Sequence, residues 1–196
     1  LRTGTKGENV LELCRRILAA GGGSLDALHG FTRERFQKIR GVGRVKSIQL
    51  ICLVELSRRL AKETAGRGLN FSSPASVARY YMEDMRHLGQ EHMKLLMLNT
   101  KSALLGEKDV YKGTVNASLV NPREIFVEAL RTEAVSIILL HNHPSGDPAP
   151  SRADVATTER IRQAGELIGI ELLDHIIIGN NCYISFREEG LLYTKG

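Results

Sequence analysis

The chain has 196 residues, 42% hydrophobic and 25% charged, with a formal net charge of +5, an ordinary globular composition with room for one large domain or two small ones. No apolar run approaches the ~20 residues of a membrane-spanning helix. Cys14, Cys52 and Cys182 are odd in number and form no C-x-x-C pair, which argues against a disulfide framework or a cysteine-based zinc site and predicts a reducing, cytoplasmic setting. No signal peptide opens the sequence, and residue 1 is Leu rather than Met, so the chain is expected to be a fragment lacking its native start.

Charge divides the chain. Residues 1–65 hold 13 Lys and Arg against 6 Asp and Glu, a net of +7, whereas residues 66–196 hold 14 against 16. Any contact with a polyanion is therefore expected at the amino-terminal end. That end reads as helical. Val10, Leu13, Cys14, Ile17 and Leu18 recur at helical spacing until Gly21-Gly22-Gly23 stops the run. Ser24 caps a short turn through Leu28, and Thr32 is a good N-cap with Phe31 and Phe36 placed as a hydrophobic staple.

The helix from Thr32 ends near Ile39. Gly41-Val42-Gly43 then makes a tight turn into a longer helix, predicted to carry Val45, Ile48, Cys52, Leu56 and Leu60 on one stripe. Helix, Gly-x-Gly turn, helix is similar to a helix-hairpin-helix element. Free backbone N–H groups at the second helix's start, beside Arg44 and Lys46 and with Gly41 and Gly43 permitting close approach, could donate to DNA phosphates without reading sequence. The bland alternative is a helical hairpin that packs on a partner while its cations are solvated.

Thr64-Ala65-Gly66-Arg67-Gly68 has linker composition, so domains of 1–65 and 66–196 are expected. Ser73-Pro74 opens a helix with Val77, Tyr81, Met85 and Leu88 on one face. Glu91 to Asn99 is a predicted strand, with further strands around Ala103–Leu105 and Asp109–Val115. Asn121-Pro122 caps a helix bearing Ile125, Phe126, Ala129 and Leu130. The apolar run Val135–Leu140 is short and β-branched, as in a buried strand. A helix from Ser151 follows, then strands Glu171–Ile178 and Cys182–Phe186, joined across Gly179-Asn180-Asn181. Strands alternating with helices make this an α/β domain.

The chemistry concentrates where the buried run ends. His141 and His143, at i and i+2 of an extended segment, point to one side. After a Pro/Gly/Ser loop, Ser151-x-x-Asp154 starts a helix as a capping box with Asp in the Glu place. Two His and one carboxylate give three ligands and leave a position for water, the pattern of catalytic zinc; structural sites are closed by four ligands, mostly Cys. Each feature has a bland reading as a strand-end or capping residue, but together they are harder to explain separately. Amide hydrolysis also needs a base, and Glu91, Glu107, Glu124, Glu128 and Glu133 lie upstream, with no choice among them from position alone.

His-x-His, seven residues, Ser151, two residues, Asp154 resembles the JAMM signature of MPN-domain metalloproteases. The wording His141-Asn142-His143-Pro144-Ser145-Gly146-Asp147-Pro148, with Pro150-Ser151 and Asp154, is similar to the RadC family. So are Pro122-Arg123-Glu124-Ile125-Phe126 and Asp174-His175-Ile176-Ile177-Ile178-Gly179, and the likeness covers nearly the whole chain. It implies an α/β fold of JAMM/MPN type, a cytidine-deaminase-like layered mixed sheet with flanking helices, preceded by a small all-α helix-hairpin-helix domain. It further implies Zn(2+) on His141, His143 and Asp154, with a peptide or protein substrate. Glu91, heading an apolar strand, would be the base, Glu107 the second choice, and Ser151 an oxyanion donor as well as a cap. The family's DNA repair label comes with the resemblance alone.

His175 also matches the family wording; it is read as a satisfied core histidine or a partner of a ligand, outside the metal shell. The competing function keeps the metal but drops the protease: a DNA-structure-binding protein, or a metal-dependent nuclease, whose MPN domain is a non-proteolytic scaffold. A zinc deaminase is rejected, because it needs His-x-Glu and Pro-Cys-x-x-Cys and neither is present.

Overall fold

The computed structural model describes residues 7, 9–113 and 120–193 and divides into two compact units, Leu1–Thr64 and Ala65–Gly196. In the first, helix α1 (Val10–Ala20) starts at a reciprocal capping box between Asn9 and Glu12. A 3₁₀ turn (Asp26–Gly30) and helix α2 (Arg33–Gln37) follow, the Thr32 hydroxyl accepting from Arg35 N. The Phe31 and Phe36 rings pack 5.1 Å apart. With Leu13, Ile17, Leu28, Ile39, Val42 and Leu50 they form the unit's core.

Helix α3 (Arg44–Gly66) corrects the sequence reading twice. It runs through Thr64, Ala65 and Gly66, predicted as linker. Its buried face is also not the predicted stripe: Val45 is 69% exposed, Leu56 and Leu60 63% each, and Ile48 and Cys52 are exposed too. The inner face instead presents Ser47 and Leu50, with Ile51 and Val54 against the core. A serine disguised it. Ser47 is fully buried because its hydroxyl donates to Arg44 O at 2.8 Å, which removes the cost of a lone buried hydroxyl.

The second unit is a mixed α/β layer. Helix α4 (Pro74–Met85) is capped by Ser73. Strands β1 (Glu91–Leu98) and β2 (Leu104–Gly113), helix α5 (Pro122–Arg131) and strand β3 (Ser136–Asn142) follow, then helix α6 (Arg152–Ile168) and strands β4 (Glu171–Ile178) and β5 (Tyr183–Ser185). The five strands lie in the order β2-β1-β3-β4-β5, β3 and β4 parallel and the other pairs antiparallel. The segments predicted as two strands near 103–105 and 109–115 are one strand. It passes through Gly106, where a Cβ would make ordinary contact with the Met97 methyl at 3.4 Å; Thr114 and Val115 lie outside the described residues. On this edge strand Glu107, Lys108, Asp109 and Lys112 are exposed, charges that discourage edge-to-edge pairing.

Strand parity assigns each residue a face. Met93, Leu95, Ile137 and Leu139 pack toward Ile125, Phe126 and Ala129 of α5 and Ile161 of α6. Leu96, Leu98, Ile138 and Leu140 pack toward Val77, Tyr81 and Met85 of α4. Helices thus cover both faces of β3, all seven of whose residues are buried, and a polar group at its end enters a dry environment. Among the described residues, no helix is long and apolar enough to cross a membrane.

Candidate metal centre

The site forms where β3 ends. His141 is fully buried, and His143, one residue past the strand, is still held because its N–H donates to Ile178 O of β4 at 2.9 Å. The loop then folds back. Gly146, at φ +84°, donates to His143 O, and Asn180 N donates to Gly146 O at 2.8 Å. A Cβ on Gly179 would lie 2.4 Å from Gly146 O, so only glycine lets the β4–β5 turn abut this loop. Helix α6 begins where the loop ends. Ser151 Oγ accepts from Asp154 N at 3.2 Å, and Asp154 Oδ2 accepts from Ser151 N at 2.7 Å, the reciprocal cap that the spacing predicts.

This cap aims Asp154 at the two imidazoles. His141 Nε2 lies 3.4 Å from Asp154 Oδ1, and His143 Nε2 3.4 Å from Asp154 Oδ2; the three donor atoms fall within 4.8 Å of one another. A charge-assisted hydrogen bond would be shorter, about 2.7–2.9 Å. A tetrahedral ion with bonds of about 2.0–2.1 Å instead sets its ligand atoms roughly 3.3–3.4 Å apart, a spacing each imidazole meets here through a different carboxylate oxygen. His141 Nε2 is buried and without a hydrogen-bond partner, a costly state for a polar atom unless something else engages it. The donor set and its spacing fit a zinc-like cation.

Electrostatics favour the ligand form of His141 and Asp154, whereas in the metal-free protein they favour a proton on His143. Burial pushes His141 down from 6.5 to about 4, against the pull of the Asp154 charge. His143 is raised, first by the facing Asp154 carboxylate, then, against burial, by Asp147 O and the Glu91 charge. Burial alone would raise Asp154, but contacts with His143, His141 and Ser151 outweigh it and hold the carboxyl well below its usual range. A folded-state value below the unfolded one means that protons bind the unfolded chain better. The metal-free protein is therefore expected to lose roughly 3 kcal/mol through His141 as pH falls from 6.5 to about 4. His175, also lowered by burial, adds to that loss. Urea titrations across this window check it; constant stability would contradict it.

The structure separates Glu91 from Glu107, two of the five glutamates that position alone left open. Met93 pairs with His141, so Glu91, two residues earlier in β1, lies on the face of the imidazoles. Its charge acts on His143, and it lines a pocket of about 170 Å³ with Gly89, Gln90, Gly113 and Pro144. Glu107 pairs with Leu96, whose side chain points to the other face. There it accepts from the Tyr81 hydroxyl and meets Lys94. Glu107 as second-choice base is thereby corrected: its strand parity is wrong. Glu128 pairs with Lys108 and Arg131. It and Glu133 lie before the start of β3, whose seven residues at ~3.3 Å each separate that end from His143.

The residues named for phosphate contact lie together in the first unit. Gly41 has φ +91°, Gly43 faces open space, Arg44 opens α3, and Lys46 Nζ donates to Gly41 O at 3.3 Å.

Sequence reasoning missed Asn142, the middle residue of His-Asn-His. It is fully buried. Its Oδ1 accepts from His92 N at 2.8 Å, and its Nδ2 donates to Gln90 O at 3.1 Å and Leu88 O at 3.4 Å. One carboxamide thus ties the ligand strand to the backbone on both sides of Glu91. The signal was present, since a polar amide closing an apolar buried strand needs such partners.

Fold and site together define a mixed α/β domain that gathers two histidines and one aspartate at the end of a buried strand. The chain belongs to the RadC-like JAB domain family, which residues 71–191 match; residues 1–48 match the UPF0758 N-terminal family. A UPF0758 protein of Clostridium tetani is 48% identical over 192 residues, covering 98% of this chain and 84% of its own length. One from Clostridium botulinum is 47% identical with the same coverage.

Proposed function

We propose that the second unit is a zinc-dependent hydrolase of JAMM type that cleaves a peptide or isopeptide bond. The observation that carries this reading is the buried, unbonded Nε2 of His141, set 3.4 Å from Asp154. A zinc ion held by His141, His143 and Asp154 would polarise the scissile carbonyl and bring the pKa of water toward ~7. Glu91, on the same face, takes the proton from the attacking water and returns it to the leaving nitrogen as the C–N bond breaks. The hydroxyl of Ser151 accepts from Asp154 N, so its own hydrogen can be donated to the oxygen on which charge develops.

The competing reading, a DNA-binding protein with a scaffold domain, rests on the +7 balance of residues 1–65 and the Gly41–Gly43 turn. It keeps the metal, so the orphaned nitrogen serves both readings, but two His and one Asp suit a single zinc ion better than the carboxylate-rich or paired-metal sites nucleases often use, which favours the hydrolase. Digestion of a peptide and isopeptide library by the zinc-loaded protein, read by mass spectrometry, should give new amines and carboxylates that a chelator suppresses. No cleavage, or cleavage indifferent to chelation, would refute the reading.

A further inference from the structure

Behind the candidate metal ligands runs a line of three buried side chains: His141, fully buried His175 of β4, and Thr158 of α6. His141 Nδ1 lies 2.8 Å from His175 Nε2, His175 Nδ1 lies 2.6 Å from Thr158 Oγ1, and Thr158 Oγ1 lies 2.7 Å from Asp154 O. The His175 ring stacks on Phe186, with centroids 4.8 Å apart and planes 20° from parallel, so its orientation is held. Each distance requires one hydrogen, and the far end fixes where every one goes. A backbone carbonyl only accepts, so the single hydroxyl hydrogen of Thr158 points at Asp154 O. Thr158 Oγ1 must then accept from His175 Nδ1–H, and a neutral His175 is left with Nε2 as an acceptor. His141 Nδ1 must donate to it, which leaves His141 Nε2 as a bare lone pair facing Asp154 and His143. Reversing the chain would put a hydrogen on Nε2, where no cation could bind.

We infer that Thr158 and His175 are positioning residues that set the tautomer of His141 and so present its Nε2 lone pair to the cation. The inference rests on the metal reading above for its purpose, but the placement of the hydrogens does not. His143 reaches the same state more simply, since its Nδ1 lies 2.8 Å from the carbonyl of Asp147. Buried His141 has the longer route, and it ends on the backbone of Asp154, so one residue supplies a ligand oxygen and the acceptor that orders a second ligand.

The test begins with the metal-free protein. Long-range proton–nitrogen NMR correlations should show both His141 and His175 protonated at Nδ1 and bare at Nε2. Zinc competition titrations should then find that Thr158→Ser, which keeps the hydroxyl, binds as wild type does. Thr158→Val and His175→Phe should bind roughly 10- to 100-fold more weakly, with unchanged circular dichroism for Thr158→Val. His141 protonated at Nε2 in the metal-free protein would overturn the inference, whether or not any variant folds. So would a folded Thr158→Val that binds zinc as tightly as wild type. If the NMR result holds while wild type binds no zinc, the metal reading fails and the proton placement stands.

Discussion

His143→Ala is expected to reduce bound zinc from about one ion per chain to none, and Asp154→Ala to do the same at a further cost in stability. His143 contributes its ring and little to the fold, because it sits just past β3 and is only partly buried. Asp154 is almost wholly buried and also caps α6, and loss of a cap costs about 1 kcal/mol. A ligand that binds only the folded state at a thousandfold over its Kd adds about 4 kcal/mol, which for a domain of this size raises Tm by roughly 10 °C. Wild type should show that rise with zinc, whereas both variants should melt at their metal-free temperatures, Asp154→Ala below His143→Ala. Elemental analysis of purified protein gives the stoichiometry. Undiminished zinc in either variant would remove its residue from the ligand set.

The second large effect concerns catalysis without metal loss. Glu91→Gln keeps the size and polarity of the side chain but not its basicity, so hydrolysis should fall about 100- to 10,000-fold while zinc content stays that of wild type. Glu107→Gln should leave the rate unchanged, because that carboxylate faces Tyr81 and Lys94 across the sheet. The pair is a parity test of one strand. Full activity in Glu91→Gln would transfer the base to another group.

Much of the site was legible because its signals are local. His141 and His143 are two apart in an extended segment, and Ser151 and Asp154 are three apart at a helix start, so elementary periodicity brings each pair together. The apolar run before His141 shows its burial directly. The choice of glutamate was not local. β1 is apolar on both faces, Met93 and Leu95 on one and Leu96 and Leu98 on the other, so its own pattern gives no inward side. Only the pairing of Met93 with His141 supplies it. His175 and Thr158 lie 17 residues apart on different elements, and nothing in either neighbourhood announces the other. The inner face of α3 was misread because one buried position is a serine that satisfies itself, leaving a more apolar stripe to mislead.

The reciprocal bonds between Ser151 and Asp154 carry a consequence for ion capture. The carboxylate that would grip a cation is the one that closes the opening turn of α6, and it cannot swing toward solvent without giving up the Ser151 amide. An arriving ion would thus meet a carboxylate already fixed in place, and its capture would not have to bear the entropy of ordering that side chain.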